Sequence, residues 1–156
     1  MHLNIPTTAG RVPEHTPEAY NQEIRRQAEA RLAYYATAGS HAIAQRLEEL
    51  DREWDIERAL EANAASVSLV GLTLGALVDR RFFAIPFAVA GFLLQHAVQG
   101  WCPPLPVLRK LGFRTQGEIE EERYALKAIR GDFRTMPLGM GDSQETMRSA
   151  VRATRS

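Results

Sequence analysis

The chain has 156 residues, enough for one domain with tails, and its 19 basic and 19 acidic side chains leave no net field to draw nucleic acid or an acidic partner. One cysteine excludes an internal disulfide and, alone, a structural zinc or iron–sulfur site. The apolar residues are unevenly spread: from Ala62 to Trp101 the only formal charges are Asp79, Arg80 and Arg81.

Residues 1–16 carry prolines, small polar residues and no apolar h-region, which predicts a short disordered lead and not a secretory signal peptide. Thr16-Pro17-Glu18 reads as a helix start, with Thr16 as N-cap, proline in the first turn and an acid beside it. Tyr20, Ile24, Ala28, Leu32 and Tyr35 then form a one-sided stripe. Gly39 ends it and Ser40 is placed to cap the next helix, where Ile43, Leu47, Leu50 and Trp54 follow the spacing of a two-helix contact. Residues 17–61 are therefore expected to form a cytoplasmic helical hairpin. No proline or glycine separates Trp54 from Ala62, so its second helix is expected to continue into the next segment.

Two apolar runs follow, 62–78 with 17 residues and 82–101 with 20. At the helical rise of about 1.5 Å per residue they span roughly 25 and 30 Å, near the hydrocarbon thickness of a bilayer. Ala64, Ser68, Gly71 and Gly75 share a face of the first, with Gly71 and Gly75 forming a GxxxG; Ala84, Ala88 and Gly91 line a face of the second. Such stripes let helices pack closely in lipid. Glycine inside a helix costs about 1 kcal/mol relative to alanine, so it calls for a packing reason. Arg80 and Arg81 beside Phe82 and Phe83 mark one end of the hairpin and Trp101 the other, as interfacial anchors do. Arg52, Arg58, Arg109, Lys110 and Arg114 at the outer ends outnumber the two turn arginines, which places both termini in the cytoplasm. The competing architecture is a soluble four-helix bundle with this block as its core, which must bury two helices apolar nearly all round.

After the first prolines, residues 106–115 suit one short helical turn closed by Gly112, and Thr115 with Glu118 spells a capping box. The following helix has an apolar stripe of Ile119, Leu126, Ile129 and Phe133 edged by Arg123, Lys127, Arg130 and Arg134. Two readings stand side by side: a helix lying on an anionic membrane surface, or a solvated helix packed on the N-terminal hairpin. Residues 135–156, with a thin trace at Met147 and Val151, read as a flexible tail.

Gly91-Phe92-Leu93-Leu94, Gln99-Gly100-Trp101-Cys102-Pro103 and Leu111-Gly112-Phe113-Arg114-Thr115 together resemble the YgaP-like transmembrane domain family, over roughly residues 54–115. Asp79-Arg80-Arg81 matches the family's arginine-bearing turn, and Gly100, Cys102, Pro103, Gly112 and Thr115 match its end. The resemblance implies a bacterial inner-membrane module of unknown function. Some relatives join it to a rhodanese domain. The helical first 60 residues here hold no cysteine, so no rhodanese activity carries over.

Few residues offer chemistry. Cys102 follows a helix C-terminus, whose dipole opposes a thiolate. His96, with Gln95 and Gln99, is polar at membrane depth and is the weak candidate for a ligand site. Glu49, Glu53, Glu57 and Glu61 form a carboxylate row without the Glu-x-x-His pairs of a di-iron bundle, so a solvated face with ion pairs such as Glu48–Arg52 is expected. The expectation is thus an all-α, multi-pass, non-enzymatic protein of the bacterial inner membrane without a cofactor. It self-associates or serves as accessory or anchor subunit of a larger complex, in contact with lipid and not with nucleic acid. The alternatives are a membrane-linked thiol or sulfur-handling protein using Cys102, and a soluble helical adaptor.

Overall fold

In a computed structural model the described residues are 7, 10–134 and 148; the expected tail at 135–156 lies outside them apart from residue 148. Among the described residues the secondary structure is helical only, with no strand. The helices are α1 (Arg11–Glu14), α2 (Glu18–Ala38), α3 (Ser40–Arg52), α4 (Ile56–Leu77), α5 (Ala84–Gln99), α6 (Leu105–Lys110) and α7 (Gln116–Arg130), with a 3-10 turn at Arg80–Phe83 before α5. They form two compact units: residues up to Arg26 with Trp54–Ile119, and Gln27–Glu53 with residues from Glu120 onward.

The first unit is built on α4 and α5, which pack against each other across the turn. Asp79 shapes that turn, its carboxylate accepting from the Arg81 amide at 2.8 Å. The hollows left by Gly71 and Gly75 take large side chains from the facing segment. A Cβ on Gly71 would lie 2.8 Å from Pro86 Cδ and 2.9 Å from Ile85 Cβ; one on Gly75 would lie 2.7 Å from the Phe83 ring. At the other end of the pair, Val12, Ile56, Leu60, Cys102 and Leu105 form a buried cluster flanked by Trp101, Leu108 and Phe113.

The second unit joins the later part of α2, α3 and the later part of α7. Ile43, Leu47 and Leu50, one stripe of α3, are buried, as is Leu126 of α7. The Glu122 carboxylate has no exposed surface and receives Arg31 Nη2 at 3.0 Å and Arg46 Nε at 2.9 Å. One buried carboxylate so ties three helices together.

Several local expectations change. Part of the expected disordered lead is helical: α1 buries Val12 in the core cluster. Thr16 does not cap α2; its hydroxyl donates to the Val12 carbonyl at 2.7 Å and closes α1 instead. Ser40 makes no capping hydrogen bond for α3. The second helix of the hairpin does not run on through Trp54. It stops at Arg52, Glu53 is extended, and α4 starts afresh with Asp55 accepting from the Arg58 amide at 2.7 Å. An N-cap aspartate satisfies an orphan donor of the new helix, so a break needs neither proline nor glycine. Trp54, released from the α3 stripe, lies beneath the Arg58 guanidinium, 4.5 Å from ring centroid to Cζ.

Candidate functional site

The start of α4 is held twice. Asp55 caps it, and the Ile56 amide donates to the Arg114 carbonyl at 2.8 Å. This fixes Glu57 one turn before the apolar run. Glu57 Oε1 accepts from Arg11 Nη2 of α1 at 2.9 Å, and Oε2 lies 2.9 Å from His96 Nε2 of α5. Burial works against the Glu57 charge, but hydrogen bonds from His96 and Arg11 outweigh it and hold the carboxyl below its ordinary value. His96 is 4 % exposed, and its Nδ1 is buried without a hydrogen-bond partner. Glu57, placed by its i, i+4 row on a solvated face, is therefore the tie between three elements of this unit. The break at 53–55 splits that row, sending Glu49 and Glu53 to Arg46 instead. Among the described residues no group of His, Cys, Asp and Glu is placed to hold a metal ion.

Gly100 ends α5 at φ 82°, a conformation that favours glycine, and its amide donates to the His96 carbonyl at 2.7 Å. The carbonyl of Arg11 occupies the space a Gly100 side chain would need. Cys102 follows, 4 % exposed and inside the core cluster. Burial pushes its thiol up, the nearby Glu57 charge adds to this, and the hydrogen bond from Leu105 only partly opposes it. These are conditions for a neutral, unreactive thiol. Gly112, at φ 90°, closes α6, and Thr115 and Glu118 exchange both hydrogen bonds of a capping box at 2.8 and 3.2 Å.

Arg109 is fully buried in α6 and is not a free cytoplasmic charge. It grips both oxygens of Glu118 at 2.7 and 2.8 Å and donates to Asn21 Oδ1 at 2.7 Å. Burial opposes the Glu118 charge, but the Arg109 and Thr115 hydrogen bonds hold that carboxyl below its ordinary value. Arg114 is also buried. Arg52, Arg58 and Lys110 remain exposed, as do Arg80 and Arg81 at the turn.

The packing residues divide. Gly71 and Gly75 are buried, and Ala64 and Ser68 are half-buried. Ala84, Ala88 and Gly91 do not face α4. All three are exposed, and a Cβ on Gly91 would meet nothing within 4 Å. The reason is steric: α4 supplies the hollows, so α5 answers with the bulk of Phe83, Ile85 and Pro86 and turns its small residues outward. The interfacial basic stripe of α7 is corrected as well. Arg123 pairs with Asp51 and Glu120, Arg130 with Asp132, and Lys127 is buried; only Arg134 is exposed. Leu126 is covered too, while Tyr124 and Ile129 are exposed, so α7 packs in the second unit through the Leu126 part of its stripe. Trp101 is half-buried against the core cluster.

Between α4 and α5, beside Cys102, lies a cavity of about 210 Å³ lined by Leu60, Ala64, Val67, Val89, Phe92 and Cys102 among others. Two helical stretches, within Ser40–Leu77 and over Arg80–Gln99, are long and apolar enough to cross a membrane. Of the 16 residues of α5 only His96 is buried. The chain matches no family model, no curated protein and no solved structure.

Proposed function

We propose that this chain is an integral protein of the bacterial inner membrane that crosses the bilayer twice, through α4 and α5, with both termini in the cytoplasm. It acts as a self-associating unit or as an accessory or anchor subunit of a larger membrane complex. The observation that carries this reading is the exposure of large apolar side chains on both helices. Leu77 is 79 % exposed, Phe87 85 % and Leu94 68 %, and a protein bathed in water seldom leaves so continuous an apolar surface uncovered. The 20 residues of Arg80–Gln99 amount to about 30 Å of helix, the depth of a hydrocarbon core. The exposed Arg52, Arg58 and Lys110 beyond the outer ends, against Arg80 and Arg81 at the turn, support the orientation.

Alkaline carbonate washing of membranes that contain the full chain tests this. Retention in the pellet, with release only by detergent, is expected; release into the aqueous phase would return the soluble helical bundle.

A further inference from the structure

We propose that the cavity between α4 and α5 is a binding site for one acyl chain of a bilayer phospholipid; this rests on the reading of the two helices as membrane-spanning. The glycine contacts explain why the space exists. At the turn end Gly71 and Gly75 let Ile85, Pro86 and Phe83 approach the α4 backbone. Farther along, Ala64 and Val67 face Val89 and Phe92 with no such interlock, and the segment Cys102–Pro104 closes that end of the opening.

The lining selects the occupant. The space of about 210 Å³ opens to the outer surface and is lined almost entirely by apolar side chains. Water therefore gains too few partners there, and an empty space forfeits dispersion contacts along every wall. The lining carries no charge: its polar groups are the Asn63 amide, exposed to the outside, and the Cys102 thiol. A charged or strongly polar ligand would thus be desolvated without compensation. The walls are also continuous with the outer apolar surface, because Val67 and Phe92 line the cavity and yet are 40 % and 44 % exposed. A hydrocarbon chain in the surrounding bilayer enters sideways across these two side chains without crossing a polar barrier. The volume is below the 300 Å³ or so of usual small-molecule pockets, which suits part of one chain better than a bulky ring system.

The test uses the full chain, reconstituted in vesicles of dioleoyl phosphatidylcholine, resolubilised in mild detergent and weighed by native mass spectrometry. One phospholipid retained per chain is expected for the wild type. Ala64→Phe, and from the opposite wall Val89→Phe, fill the space and are expected to lower the retained fraction at least tenfold. Wild-type protein that resists carbonate yet retains no phospholipid overturns the proposal, as does undiminished retention in a folded Ala64→Phe. Release by carbonate overturns the membrane reading itself.

Discussion

Gly71 and Gly75 are both buried at the same helix contact, but a methyl group added at each meets a different neighbour. At Gly71 it runs into Ile85 Cβ and the Pro86 ring, atoms tied closely to the backbone; at Gly75 it runs into the Phe83 ring, which has room to swing. Gly71→Ala is therefore expected to cost about 1–3 kcal/mol of helix-pair stability and Gly75→Ala distinctly less, in spite of alanine's better helix propensity. Denaturant titration of the detergent-solubilised protein compares the two, and equal losses would argue against interlocked packing. Glu118 sets a pH dependence. Its folded carboxyl lies below the ordinary value because Arg109 grips the ionised form, so this contribution is full above the unfolded value and lost as pH falls through the folded one. Acid titration of stability is expected to show that loss in the wild type and to lack it in Glu118→Gln. For Cys102, slow alkylation at neutral pH in the folded protein, with a sharp rise on unfolding, is the expected result of its burial.

At the scale of elements, Asp55 decides where α4 starts. Asp55→Ala removes the acceptor for the Arg58 amide and is expected to cost about 1 kcal/mol, read by denaturant titration. Glu122→Gln leaves Arg31 and Arg46 facing an uncharged amide in a buried position and is expected to cost about 3 kcal/mol, with helicity of the second unit melting earlier. The two elements also mark how far residue patterns reach. α4 and α5 were legible as helices because each is a long apolar run bounded by charged residues, and the Thr115–Glu118 box because capping depends on residues three apart. The break at 53–55 was not, since an aspartate amid other charges looks like any exposed helical acid. The outward turn of Ala84, Ala88 and Gly91 was not either: a small-residue stripe states that close packing is possible and leaves open against which neighbour.

For the whole molecule, the pair Glu57–His96 was hidden for a plain reason: residues 39 apart carry no periodic signature, and each alone reads as a solvated acid or an isolated polar group. The exposed stripe on α5 gives self-association a clean test. A Cβ at Gly91 meets nothing within 4 Å among the described residues, so Gly91→Leu is expected to leave the helix pair intact while shifting the solubilised species to a smaller size. An unchanged sedimentation profile would favour the accessory-subunit form of the proposal.

The meeting of Arg11 with Gly100 has a bearing on synthesis. The carbonyl of Arg11 fills the place of the missing Gly100 side chain, Val12 enters the cluster with Leu105, and Arg11 reaches Glu57. Residues 11 and 12 precede both apolar helices in the chain, and their seat is complete only once Gly100 and Leu105 have been added. Glu57, Ile56 and Leu60 are made before α5, whereas the place taken by the Arg11 carbonyl forms only with Gly100. Closure of the short α1 over the α5 exit would then mark the moment at which this half of the chain is complete.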